Sequence, residues 1–282
     1  MEGPGSTVNT VSSTVVIIVL IVTLTTTTTY AAVAFNTTTS STTTSSTTTT
    51  SSTTTSSTRT VPPPPVIDGF SQVQYGSNTC QDVLNTTKSN DVIVVFTGAE
   101  SAGLVFTVTD TANLPWHLRA STQFNASGQF VDTFEEYYTM APKALTNDTI
   151  TVTYILTGGS TGCSALGIAG ANVTSPFDPS DPRLGCAHEG VPQTSSSTNA
   201  TTSGTVPICT SNTNDLVISG LWMRGDGLNS SPANFTALAG GGSLSFNEAY
   251  QRVFTNETNL AVTWTFGGDS WGMINDALTA DT

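Results

Sequence analysis

Apolar residues alternate with threonines along much of this chain, and no window of a dozen residues carries a convincing helical stripe. In "DTITVTYIL", Ile150, Val152, Tyr154 and Leu156 fall on one side and Thr149, Thr151 and Thr153 on the other. In "NLAVTWTF", Leu260, Val262, Trp264 and Phe266 oppose Ala261, Thr263 and Thr265. Successive side chains of an extended strand point to opposite faces, so this period of two predicts half-buried strands, with Trp264 between sheets. Further runs begin at Asp91, Gly103, Trp116, Phe134, Cys163, Asn214, Ser243 and Ser270, separated by Gly, Asn, Asp and Pro. So many short strands in succession predict an all-β fold. The expectation is one antiparallel β-sandwich of jelly-roll-like topology over 66–282, with barrel closure as the alternative. An insertion loop is expected at about 174–211, because "SPFDPSDPRLGCAHEG" and "QTSSSTNATTSGT" carry proline and serine on a scale that argues against a central strand.

The first 65 residues follow other rules. Val15 to Leu24 is almost wholly apolar, the length of a signal-peptide core, and Ala32-Val33-Ala34 forms a small-x-small cleavage site. The preceding "MEGPGSTVNTVSS" holds no Lys or Arg, so an uncleaved membrane anchor over Val15–Phe35 and a pilin-like leader cut near Gly5 stay open beside the signal peptide. Each reading exports the rest of the chain. Residues 36–65 read as a stalk. From Thr37 to Thr58 every residue is Ser or Thr, and "VPPPP" follows at Val61. Such a run has too little apolar surface to offset its ordering entropy, and outside a cell it is typically an O-glycosylated spacer.

Seven Lys+Arg stand against twenty Asp+Glu, a net charge of -13. So acidic a chain does not neutralise a phosphate backbone, which excludes nucleic acid as a partner class. Sequons at Asn36, Asn85, Asn125, Asn147, Asn172, Asn199, Asn229, Asn234 and Asn256 suit a glycosylated exterior. The four cysteines form no CxxC pair, so zinc spacing is absent and two disulfides are expected. Cys186–Cys209 is the pairing expected first, both residues lying in the Pro/Ser/Thr-rich insertion. Cys80–Cys163 then follows.

"SNDVIVVFTG", "TANLPWHLRAST", "EEYYTMAPKAL", "GIAGANVTSPFDP", "TNDLVISGL" and "SWGMINDAL" resemble successive strands of a β-sandwich module found in secreted, Thr-rich surface proteins of archaea and some bacteria. The resemblance covers about Val66 to Ala280. It implies a lectin-like or jelly-roll sandwich on an exported protein and transfers no catalytic residue.

No GxSxG, HExxH, Walker or Rossmann fingerprint occurs, and no organic cofactor is expected. Glu135 and Glu136 are adjacent, but neighbours on a strand face opposite ways and do not flank one glycosidic bond. One is expected in solvent and the other paired with Arg119. Asp178, Asp181 and Glu189 are oxygen ligands of the type calcium takes, in a spacing that matches no known loop, and "DPSDP" is also ordinary turn chemistry. Trp116, His117, Arg119, Trp222 and Trp271 are the residue types of a sugar-binding face, with Trp116, His117 and Arg119 the favoured set. The sequence thus predicts a non-enzymatic cell-surface protein for adhesion, surface structure or glycan binding. Its partners would be glycans or other surface proteins, and the membrane if the N-terminal segment stays. A secreted carbohydrate-active enzyme and a filament subunit are the alternatives.

Overall fold

A computed structural model of the chain describes residues 62–100, 106–126, 130–155, 159–179, 191–225, 227–238 and 246–280. Among them there is no helix, and every strand pairing is antiparallel. The N-terminal apolar segment and the Ser/Thr tract lie outside the described residues.

The first half holds β1 (Val66–Phe70), β2 (Gln74–Gly76), β3 (Thr79–Leu84), β4 (Asp91–Ala99) and β5 (Phe106–Asp110). β6 (His117–Ala126), β7 (Phe130–Ala141), β8 (Asp148–Tyr154) and β9 (Thr161–Ala169) complete it. β1 and β2 both lie along β9 and serve as one interrupted strand. The larger sheet runs β1-β9-β4-β7-β6 and the smaller β3-β8-β5. First and last strands are neighbours and the chain alternates between sheets, which is jelly-roll order.

The second half repeats that order. β10 (Gln193–Thr210), β11 (Asp215–Met223), β12 (Leu228–Ser230), β13 (Thr236–Ala237), β14 (Phe246–Val253) and β15 (Glu257–Leu278) pair as β10-β15-β11-β14-β13, with β12 on β15. β10 and β15 each do the work of two strands. Their register slips between Ser197 and Ser203, and β15 turns at Gly268, whose φ of 112° favours glycine. Beyond the bend the ribbon folds onto its own sheet: Trp264 Nε1 donates to Ser219 Oγ of β11 at 2.9 Å, and Asn275 Nδ2 donates to the Val206 carbonyl at 2.8 Å.

The antiparallel jelly-roll-like sandwich expected over 66–282 is built as two stacked jelly-roll halves, and the stretch expected as a loop at about 174–211 contains β10 of the second half. Phe177 bridges to Leu278 where Ile67 of β1 pairs with Ile168, and 193–210 is strand. Ser and Thr are tolerated there because β10 is an edge strand, paired only to β15 in its sheet, and Pro207 occupies an edge where a missing N–H is harmless.

Three cores follow. One fills the first sandwich (Leu84, Ile93, Val95, Ile150, Val152, Tyr154) and one the second (Ile208, Val217, Leu221, Val262, Trp264, Phe266). The third lies between the two larger sheets, where Val94, Phe96, Phe134 and Ile168 meet Ile218, Trp222, Phe246 and Leu278. β4, β9 and β11 are thus covered on both faces, which is why they read as continuous apolar runs. The central contact is reciprocal. Phe96 of β4 sits over Gly220 of β11, and Trp222 of β11 sits over Gly98 of β4; a Cβ on Gly98 would lie 2.3 Å from the indole.

Candidate functional site

The residues favoured for a sugar-binding face do not share one. Trp116 is half-buried against the core of the first sandwich, and its Nε1 donates to Asp110 Oδ2 at 2.6 Å. His117 opens β6, stays exposed and meets the Tyr138 ring at 5.4 Å on the side of the inter-sandwich core. Arg119 leans across to the second sandwich. It forms an ion pair with Asp276 (Nε to Oδ2, 2.7 Å), donates to the Val191 carbonyl at 2.9 Å, and lies 4.0 Å over the Phe177 ring. Arg119 thus fastens β6 to the second sandwich. Trp222 and Trp271, the other aromatics of the expected face, are core residues, 1% and 6% exposed.

The adjacent acids point to opposite faces as expected, but the expectation that one reaches solvent is corrected: Glu135 is 7% exposed and Glu136 fully buried. Glu135 accepts from the Ser121 hydroxyl at 3.2 Å and the Tyr137 hydroxyl at 2.9 Å, while burial raises it to about 7. Glu136 enters the inter-sandwich core beside Asp276 and Arg119, and desolvation first, then the Asp276 charge, pushes its carboxyl well above the usual range. The ion pair of Arg119 is with Asp276, not Glu136.

An open end of the first sandwich lies beside the loop that follows β5. A cleft of about 420 Å³ there is lined by Thr111, Leu114, Lys143, Thr146 and Asp148 among others. The loop after β5 is pinned by Asp110, whose Oδ1 takes the Leu114 amide at 3.0 Å while Oδ2 holds Trp116. Asp148, 3% exposed, receives the Thr111 hydroxyl at 2.6 Å and the Ala112 amide at 2.9 Å on Oδ1. Its Oδ2 has no hydrogen-bond partner. A buried acceptor, apolar walls and a nearby ammonium are the surfaces a polyol recognises.

Cys80 and Cys163 form a disulfide across the first sandwich, from β3 to β9. Cys209 is oxidised as well, and the partner expected for it, Cys186, lies outside the described residues. Asp178, the one described member of the calcium-type set, accepts from Ser211 N (2.7 Å), Ser211 Oγ (2.6 Å) and Asn212 Nδ2 (3.2 Å). Asp181 and Glu189 lie outside the described residues. Asn85, Asn125, Asn147, Asn199, Asn229, Asn234 and Asn256 are exposed. Asn172 is half-buried and turns its Oδ1 onto the Thr174 and Ser175 amides, and Asn36 lies outside the described residues.

The duplication went unread in the sequence, yet a signal exists. "SNDVIVVF" at Ser89 answers "TNDLVISG" at Thr213, and Phe134, Glu136 and Tyr138 answer Phe246, Glu248 and Tyr250. Registers confirm the match, since Phe96 pairs with Glu136 as Gly220 pairs with Glu248. No family model, curated protein or solved structure matches this chain.

Proposed function

We propose that the chain is an exported cell-surface protein that displays two stacked jelly rolls and takes a neutral glycan at the open end of the first. The observation that carries the binding role is the cleft at Leu114, Lys143 and Asp148, with a buried carboxylate oxygen that lacks a donor. A sugar hydroxyl supplies that donor, and Leu114 and Pro142 offer apolar wall for a sugar's C–H face. The exposed sequons and the disulfide support an exterior location. A glycan array on the full chain tests it, followed by calorimetric titration of the best-bound glycan against Asp148→Asn. That variant keeps an acceptor for Thr111 and Ala112 but turns an amide into the cleft. Binding should fall at least tenfold with the melting temperature nearly unchanged. An array without hits, or unaltered affinity in Asp148→Asn, would refute the assignment.

A further inference from the structure

Each sandwich carries the same pair of aspartates at the same place. In the first, Asp68 of β1 accepts from the Thr87 amide, the Thr87 hydroxyl at 2.6 Å and the Lys88 amide at 2.9 Å. In the second, Asp178 accepts from the Ser211 amide at 2.7 Å, the Ser211 hydroxyl at 2.6 Å and the Asn212 amide at 3.2 Å. Thr87 and Lys88 precede Asp91 as Ser211 and Asn212 precede Asp215. Asp91 opens β4 and Asp215 opens β11, and each lies against its partner aspartate. Both are fully buried, and the donors nearest them, the Thr86 hydroxyl for Asp91 and the Thr279 hydroxyl and Asn212 amide for Asp215, fall short of normal hydrogen-bond geometry.

Two carboxylates in contact, one of them shut away from water, do not both stay ionised, and one proton held between them turns repulsion into a charge-assisted hydrogen bond. In each pair the ionised member is the one that receives the loop amides. The buried member, otherwise without a well-formed hydrogen bond, then supplies the proton. We propose that Asp68–Asp91 and Asp178–Asp215 are proton-dependent clasps, fitting this protein to an acidic medium: the first strand segment of the first sandwich loosens as the medium turns neutral, and that of the second only in alkali.

Charges around the clasps agree. Desolvation, then Asp68, raises Asp91 to about 6, opposed by the Thr86 hydroxyl and then by the Lys88 cation. Desolvation, then Asp178, raises Asp215 to about 9, with the Thr279 hydroxyl and the Asn212 amide as the neutral groups beside it. Asp68 itself is desolvated, but the bonds from Thr87 and Lys88 outweigh this and hold it below the usual range. A carboxyl raised in the folded state contributes stability that is fully present below its unfolded value, about 4. That contribution is lost as pH rises through about 6 for Asp91 and about 9 for Asp215. Asp68 also lines a cleft of about 440 Å³, which gives protons a route to the first clasp.

The test follows thermal unfolding of the full chain from about pH 3 to pH 9 at fixed ionic strength, beside the double variant Asp91→Asn, Asp215→Asn. Asparagine donates a hydrogen bond at every pH. The wild-type melting temperature should fall by several degrees between about pH 4 and pH 8, and the variant should lose much of that slope. Hydrogen exchange, corrected for intrinsic rates, should show Val66–Phe70 losing protection first at high pH in wild type and retaining it in the variant. Identical slopes in the two proteins, or calcium restoring the wild type at neutral pH, would overturn the proposal. Should the double variant not fold, carboxyl carbon shifts in wild type decide the matter: titration of Asp91 and Asp215 near the ordinary value, about 4, overturns it.

Discussion

The reciprocal contact between the two sandwiches makes a quantitative claim. A methyl group on Gly98 would sit 2.3 Å from Trp222 Cε3 and 2.4 Å from Cδ2. Carbon atoms settle at ~3.5–4.0 Å, so Gly98→Ala forces the indole back by on the order of 1 Å in a packed core. Overpacking of this kind costs ~1–3 kcal/mol. Trp222 is 1% exposed, so Trp222→Ala opens a cavity and costs ~3–5 kcal/mol. The two changes should not add. With the indole gone, the methyl group added by Gly98→Ala enters empty space, and the double variant should be no less stable than Trp222→Ala alone. The double-mutant cycle then returns a coupling of ~1–3 kcal/mol, the whole cost of Gly98→Ala. Equilibrium unfolding in urea, followed by the remaining tryptophans and by circular dichroism, measures all four proteins. Additive losses would show that Trp222 and Gly98 do not lock the sandwiches together.

Trp264→Ala should cost ~3–5 kcal/mol through its cavity, and Trp264→Phe should recover most of the volume but leave the buried Ser219 hydroxyl without its donor, a residual ~1–3 kcal/mol in denaturant melts. Trp116→Ala removes a half-buried side chain and should cost ~1–2 kcal/mol; a loss as large as that of Trp264→Ala would make Trp116 a full core residue. The Cys80–Cys163 bond spans 83 residues, and opening so long a loop in the unfolded state corresponds to ~4–5 kcal/mol by the chain-entropy estimate. Cys80→Ser, Cys163→Ser should therefore melt far below wild type, and unchanged melting would deny the bond a stabilising role. Glu248, fully buried beside the Ser164 hydroxyl at 2.8 Å, is raised by desolvation to about 8, so it adds stability in acid that disappears as pH passes through that value. Glu248→Gln should flatten this part of the pH–stability curve.

The sequence by itself determined that the chain is all-β and, where apolar residues alternate with threonines, which side of the strand is apolar. Ile150, Val152, Tyr154, Val262, Trp264 and Phe266 are buried as their alternation requires. That pattern is a relation between residues two apart, so it is complete within a short window. Only the tertiary structure decided how many sandwiches those strands make. The Ser/Thr-rich stretch 193–210 reads as loop because nothing local says that an edge of β15 will satisfy its backbone. Trp222 becomes core because Gly98, far away along the chain, leaves room for it, and Arg119 faces Asp276 because two sheets stack there. Trp116 and His117, adjacent in sequence, part company because the pleat sends them into different layers. The clasps are hidden for the same reason. Asp91 is an ordinary strand-opening residue until the fold brings Asp68 against it and takes the water away, and only then does a proton become part of the structure.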